Sequence, residues 1–347
     1  LRIAPVQGRQ PAEKLRGLAS SVLLAVGLRS EDAETVADVL VDADLRDLGS
    51  HGLIRLADYV ARFESGVVNK QPMVAVVSDH EAIVHLDGDH GHGMVVAKMA
   101  AQIAIERAKR YGVGAVSVRR SGHFGQAGYF TRMMTDAGCA GLAFTNASPA
   151  IAPCNGAERL LGNNPWSIAV PGREGAICLD MANSVAARGK MMVAARDGVP
   201  IPEGWAVDEL GEPTTDPTAA LRGAAVAIAG HKGYAITVMV EILASVLSGA
   251  SYLDDVASPR FAEGVQDVGH LFIAIDIEKI MPLPEFLLRI TDYRSRIKTS
   301  KAAPGKEIFM PGEPELRAIE RNLRDGILLG DTWGVITALC EKYGVPA

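Results

Sequence analysis

The sequence predicts an α/β fold outside the Rossmann class: a mixed, largely antiparallel sheet body with helical N- and C-terminal segments packed together. Three observations lead there. Apolar residues recur at helical spacing through the first 66 or so residues and again beyond Pro311, while short strand-like runs mix with helices between them. That middle section lacks the steady βαβ alternation of a doubly wound sheet. The stretch Gly112-Val113-Gly114 lacks the third glycine of a dinucleotide fingerprint, and it runs from helix to strand where that motif needs strand then helix. At 347 residues the chain is long for a single core. The expected division is a helical domain, 1–78 plus 300–347, and an α/β body, 79–299.

Pro11 to Gly27 reads as a helix with Leu15, Leu18, Val22 and Leu23 on one face and Gly27 as its stop. Ser30 reads as the cap of a second helix, with Glu31 and Asp32 complementing its dipole and Val36, Val39, Leu40 and Leu45 forming its buried stripe. The junction Gly49-Ser50-His51-Gly52 then opens a third helix carrying Leu53, Leu56, Val60 and Phe63. Pro72 marks a change of period. Met73 to Val77 and Ala82 to Leu86 are strand-like, and a polar loop from Asp87 to Gly93 leads into a helix from about Val95 to Arg110. Gly114 to Val118 is a strand, Arg119 to Gly125 a loop, Gln126 to Ala137 a helix and Ala140 to Phe144 a strand. Trp166 to Val170 and Ala176 to Leu179 look like paired strands, and a helix carrying Arg188-Gly189-Lys190 follows. Pro200 to Trp205 and Pro213 to Pro217 are extended connections. Gly230-His231-Lys232-Gly233 opens a long apolar helix to Leu247. Val268 to Asp276 is a strand, and three helices follow: Leu283 to Ile297, one from Pro311 to Gly326, and Thr332 to Tyr343.

Composition narrows the function. A net charge of −6 with no long basic run argues against a nucleic-acid surface. The longest apolar stretch, Tyr234 to Leu247, contains Glu241 and is too short to span a membrane. The N-terminus lacks the pattern of a signal peptide. Cys139, Cys154, Cys178 and Cys340 are scattered without C-x-x-C spacing, so a reducing cytoplasm is the simplest compartment.

The densest chemistry is Ser50-His51-Gly52 with Arg55 and Tyr59. Four apart on a helix, His51 and Arg55 would share a face. An imidazole can hand a proton to a developing alkoxide, and a guanidinium can clamp a carboxylate, a pairing suited to a keto acid. The plainer alternative makes Ser50 a helix cap and His51 a solvated first-turn residue. Gly122-His123-Phe124-Gly125-Gln126-Ala127-Gly128 leads from a strand into a helix N-terminus, where free amides favour an anionic group, although a tight turn needs the same residues. Asp87, Asp89, His90 and His92 are candidate metal ligands for a hydrolase, or a polar loop in which Asp89 caps the next helix. No G-x-S-x-G elbow supports Ser50 as a nucleophile. Asn146, Asn163, Asn164 and Asn183 can recognise an amide, ribose or carboxylate, or form turns. Lys232 is a phosphate or carboxylate contact, or a solvated helix start.

These motifs occur in one order. Leu48-Gly49-Ser50-His51-Gly52 with Arg55 and Tyr59 precedes Ser121-Gly122-His123-Phe124-Gly125, then Gly162-Asn163-Asn164-Pro165 and Leu179-Asp180-Met181-Ala182. Ala187-Arg188-Gly189-Lys190, Gly204-Trp205-Ala206, Lys232-Gly233-Tyr234 and Pro311-Gly312-Glu313 follow. From about residue 10 to about 340 the chain resembles the type 2 malate/L-lactate dehydrogenase family, which also holds sulfolactate, ureidoglycolate and diketogulonate enzymes and a cyclic-imine reductase branch. The resemblance implies a non-Rossmann α/β homodimer that moves a hydride between NAD or NADP and a small 2-oxo or 2-hydroxy acid. It implies His51 as proton donor and acceptor supported by Ser50, Arg55 as carboxylate clamp, and Asn163 and Lys190 as substrate contacts. His123 is either a second catalytic histidine or part of the cofactor cradle with Phe124, Gly125, Gln126 and Ala127. Met181, Ala182, Asn183, Lys232, Pro311, Gly312 and Glu313 are further implied cofactor contacts. The imine-reducing branch carries an Asp where Lys190-Met191 stand here, which argues for the hydroxy acids. No metal, nucleic acid or membrane is expected.

Overall fold

The computed structural model describes residues 8–347. The helices Ala12–Val26 and Ser30–Leu45 form an α-hairpin turned by Gly27, whose φ of 111° is left-handed. Their apolar stripes meet Leu53, Leu56 and Phe63 on one side and Ile336, Leu339 and Cys340 of the last helix, Thr332–Tyr343, on another. Fully burying each of Leu15, Leu23, Leu40, Leu53 and Leu56 stabilises this cluster by about 1.5–3 kcal/mol. A short antiparallel pairing of Arg9–Gln10 with Ile327–Leu328 ties the same two ends of the chain. Buried Asn322 adds a polar pin: its amide donates to the carbonyl of Leu45 at 2.9 Å.

The central sheet has seven strands in the order Ala75–His80, Ile83–Asp87, Val113–Ser121, Val268–Asp276, Cys139–Thr145, Trp166–Val170 and Ile177–Met181. One adjacent pair, Ile83–Asp87 with Val113–Ser121, is parallel, and the helix Gly93–Tyr111 makes its crossover. The other five pairings are antiparallel. The crossover helix presents Ala97, Ala100, Ala101, Ala104 and Ala108 to a core that includes Val84, Leu86, Val116, Val118, Phe272 and Ala274. Alanine at these positions brings the helix backbone close to the strands.

Several elements differ from the sequence reading. Ser30 is the first residue of its helix, not the cap; the preceding Arg29 holds Asp32 at 2.6 Å, and the Ser30 hydroxyl turns to Glu34. Ser50, His51 and Arg55 are not on an α-helix. They occupy two consecutive 3₁₀ turns, Gly49–His51 and Leu53–Arg55, and the α-helix starts at Leu56. The cause is Asp44, whose carboxylate accepts the Leu53 amide at 2.8 Å and draws the chain back onto the preceding helix. Gly52 is the residue this approach requires, since a Cβ there would lie 1.9 Å from Asp44 Oδ1. His92, not Asp89, caps the crossover helix, accepting from the Met94 amide. Arg119, Arg120 and Ser121 belong to the strand rather than the loop. The proline-ruled connections contribute to a second, five-stranded sheet in the order Pro213–Thr214, Ala206–Val207, Ala224–Ala225, Pro149–Ile151 and Leu161–Gly162. The apolar helix His231–Glu241 ends in a π turn, Ile242–Val246. Among the described residues no helix is long and apolar enough to cross a membrane.

Candidate active site

A cavity of about 710 Å³ opens at one end of the central sheet. It lies where Val113–Ser121 and Cys139–Thr145 end and the antiparallel strand Val268–Asp276 begins. Its walls come from the two 3₁₀ turns, the loop His123–Gly125, the segment Thr145–Ala150, the start of the helix Arg188–Asp197 and the segment Val256–Phe261. Functional groups from segments far apart in sequence thus converge on a rigid scaffold.

Ser50 links the central pair. Its hydroxyl is 2.9 Å from His51 Nδ1, and its carbonyl accepts Arg55 Nε at 3.0 Å. Asp58 holds another nitrogen of the same guanidinium at 2.8 Å. Arg55 therefore faces the cavity in a fixed pose with donors to spare, since a guanidinium carries five N–H groups. The His51 and His123 rings stack with centroids 5.8 Å apart. His123 Nδ1 lies 2.7 Å from the Tyr59 hydroxyl. Burial pushes the phenol's ionisation above its ordinary range, so the Tyr59 hydroxyl stays protonated beside that nitrogen. Burial also lowers the basicity of His51, which the charges of Arg55 and Arg260 depress further, to about 4. His123 falls well below its ordinary value through burial, then the charges of His51 and Arg55. Both imidazoles are neutral at neutral pH.

A second set of side chains holds these in place. His270 is buried between Thr145 and Ser121, bonding their hydroxyls at 2.8 and 2.9 Å, and its ring stacks on Phe124 at 4.8 Å. His92 packs edge-on against Tyr59 at 4.4 Å. Gln266 accepts the His123 amide at 3.1 Å and donates to the Ala257 carbonyl at 3.3 Å. Arg62, 2 % exposed, donates to the carbonyls of Ser258, Phe261 and Gly264.

Of the residues singled out in the sequence, Ser50, His51, Arg55, His123, Phe124, Gly125, Asn146 and Asn163 line this cavity together. The others lie elsewhere. Gln126 is buried and donates to Asp42 at 2.8 Å, and Ala127 sits in the core. Asn183 is fully buried; it accepts from the Trp166 indole and donates to the Asn164 carbonyl. Met181 ends the edge strand, with Ala182 next to it. Lys190 lies 5.8 Å from the Trp205 ring centroid, and Lys232 is exposed in the first turn of its helix. Pro311 and Gly312 line a separate cavity of about 200 Å³ with Arg46, Arg132 and Asp180. Glu313 pairs with Lys298 and Arg317, and those contacts hold its carboxyl at about 2. The Asp87–His92 loop is engaged internally. Asp87 pairs with Arg119 and Arg120, and His90 accepts from Arg120 at 2.8 Å. Among the described residues no group of three or more His, Cys, Asp or Glu side chains is placed to hold a metal. The sequence reading missed Asp44, Arg62, Arg159, Arg260 and Gln266, whose neighbours are distant in the chain. Tyr59 and Arg188 stood in its motifs without a role.

The arrangement is a cleft lined by four arginines, in which an imidazole and a guanidinium are both tied to Ser50, built on a non-Rossmann mixed sheet. The chain belongs to the malate/L-lactate dehydrogenase family, whose model matches residues 10–336. It is 39 % identical over 334 residues to an L-sulfolactate dehydrogenase of Methanocaldococcus jannaschii, covering 96 % of each chain. It is 39 % identical over 328 residues to a malate dehydrogenase of Pyrococcus abyssi, covering 92 % of this chain and 90 % of that one. The crystal structure of malate dehydrogenase from Entamoeba histolytica superposes with a TM-score of 0.93 at 32 % identity, covering 98 % of this chain and 99 % of that one. Family membership makes the protein an oxidoreductase.

Proposed function

We propose that this protein interconverts a small 2-hydroxy acid and its 2-oxo acid with a nicotinamide cofactor, NAD or NADP. The observation that carries the reading is the Ser50 link: one residue fixes both a proton carrier, His51, and a carboxylate anchor, Arg55. An α-carboxylate on Arg55 sets the adjacent carbon beside His51, and such positioning is a large part of catalysis. When bound, the reduced cofactor supplies the hydride that the carbonyl carbon receives.

The cavity suits that cofactor. Its volume lies in the range of small-molecule and cofactor sites. Gly125, at φ 79°, turns the His123–Gly125 loop into the helix Ala127–Asp136, and the arginines of the wall suit phosphates. His123, Phe124, Gly125 and the arginine pair Arg159 and Arg188 are the residues to hold it.

His51 is the proton carrier in this reading. In the oxidation direction its neutral imidazole takes the hydroxyl proton. In the reduction direction the bound acid neutralises Arg55, which removes the part of the depression that Arg55 adds to burial and favours the protonated His51 that serves the nascent alkoxide. Tyr59 keeps His123 in one tautomer, as a positioning and binding group. The reading includes a homodimer, supported by the apolar side chains Met239, Val246 and Leu247 exposed along and just beyond the helix His231–Val246.

The test is a panel of 2-oxo acids followed by nicotinamide absorbance with NADH and NADPH in parallel, with a cyclic 2-imino acid included. The reading expects turnover with at least one 2-oxo acid. Turnover of the imine alone, or of no acid with either cofactor, contradicts it.

A further inference from the structure

The active cavity also presents a sulfur that an oxidant can reach. Met191 and Met192 are neighbours on the helix Arg188–Asp197, but Met191 is 1 % exposed in the core, while Met192 is 44 % exposed and lines the cavity. Arg260, on the same wall, donates from Nη1 to the Met192 thioether at 3.1 Å. Gly189, one turn earlier on the helix, lies beneath the same guanidinium: a Cβ there would sit 3.9 Å from Arg260 Nη2.

A thioether is a weak acceptor for a guanidinium. The other three arginines of the cavity have oxygen partners. Arg55 has the Asp58 carboxylate, and Arg159 and Arg188 donate to the Leu221 carbonyl at 3.4 and 2.8 Å. Among the described residues the Arg260 guanidinium has no ion pair and no hydrogen bond besides the sulfur. Its backbone is nevertheless fixed, because buried Arg62 donates to the carbonyls of Ser258, Phe261 and Gly264, on both sides of it. The guanidinium therefore stays within reach of Met192, whatever that sulfur carries.

We propose that Met192 is an oxidation site, at which a hydroperoxide lowers the cavity's affinity for anions by capturing Arg260. A lone pair of the thioether attacks the outer oxygen of the peroxide, and the S–O bond forms as the O–O bond breaks. The departing oxygen leaves as hydroxide or alkoxide, hydrogen-bonded by the Arg260 guanidinium, and takes a proton from solvent to become water or an alcohol. Sulfur gives up two electrons and the peroxide gains them. The sulfoxide then sets a strongly polar oxygen beside Arg260 in place of a weak acceptor. That charge-assisted bond competes with any anion entering the cavity, and a methionine sulfoxide reductase undoes it. The proposal rests on the anion-binding part of the reading above and not on which acid or cofactor the enzyme uses.

The experiment treats the wild-type, Met192→Leu and Arg260→Ala proteins with hydrogen peroxide, maps the sulfoxides by peptide mass spectrometry, and titrates oxalate by calorimetry before and after. Sulfoxide should form at Met192 together with Met73 and Met239, which are 80 % and 52 % exposed and lie outside the cavity lining. Oxalate affinity of the wild type should fall about 10-fold and return after treatment with reductases for both sulfoxide epimers. Met192→Leu should keep its own unoxidised affinity through the same treatment. Arg260→Ala, weaker from the start, should lose nothing further. A Met192 that stays reduced while Met73 and Met239 oxidise overturns the proposal. So does a Met192 sulfoxide that leaves affinity unchanged, or an equal fall in either variant. An unoxidised wild type that binds no oxalate overturns it as well. The expected oxalate response in an enzyme that turns over no 2-oxo acid supports the proposal and brings down the reaction proposed above alone.

Discussion

Asp44 offers a physical test of how the catalytic turn is built. Its carboxyl is 8 % exposed, accepts the Leu53 amide at 2.8 Å and presses against Gly52. Burial, only partly offset by the Leu53 amide, raises it from the ordinary 3.8 to about 7. The folded protein thus keeps this proton until about pH 7, while the unfolded chain releases it near pH 4. Between those limits the native state binds more protons, so this group lowers stability as pH rises. The rise from 3.8 to about 7 corresponds to an upper bound of about 4 kcal/mol at alkaline pH. Asp44→Asn keeps an oxygen for the Leu53 amide and removes the ionisation. The variant's stability relative to the wild type should rise by about 3 kcal/mol between about pH 4.5 and about pH 8.5, because subtracting the two proteins cancels every other titrating group. Urea unfolding at both values measures this. A variant-minus-wild-type difference that is the same at both pH values, or that falls between them, refutes the reasoning.

Two further predictions concern the site. Arg55→Ala should lower kcat/KM for the 2-oxo acid by about 100-fold while nicotinamide binding persists, since it removes a charge-assisted clamp; steady-state kinetics and cofactor titration check it, and an unchanged kcat/KM rules the clamp out. Binding of an unreactive diacid such as oxalate should take up a proton. His51 is held at about 4 by burial and then by Arg55 and Arg260, and an anion that neutralises those arginines lifts it. Affinity should therefore strengthen as pH falls through the bound-state value toward about 4, a window in which calorimetry in buffers of different ionisation enthalpy detects net proton uptake.

The helices and long strands were legible in the sequence because period and punctuation are local. Thr332–Tyr343, Trp166–Val170 and Val268–Asp276 fall where their patterns place them. Two-residue strands such as Ala206–Val207 and Ala224–Ala225 have no period to read, so the second sheet was invisible. The Ser50–Arg55 segment was read as helix because its apolar spacing continues into Leu56–Glu64. The 3₁₀ turns arise from a contact with Asp44, outside that window. Ser50, His51, Arg55 and His123 were recognised because they sit in compact motifs. Arg260, Gln266 and Arg62 were not, since a lone arginine or glutamine gains meaning only when the fold brings it to a distant loop. Asn183 and Gln126 show the converse: polar residues inside recognisable motifs whose side chains are occupied in holding the framework.

The claim at the centre of this account is that His51, fixed by Ser50 beside Arg55, carries the proton. His51→Ala, compared with His123→Ala, tests it most directly by turnover of the 2-oxo acid together with fluorescence titration of the reduced nicotinamide. The account predicts that His51→Ala loses about 10²- to 10⁴-fold in kcat while still binding the cofactor. Wild-type-like turnover in His51→Ala, with the loss appearing in His123→Ala instead, would contradict it.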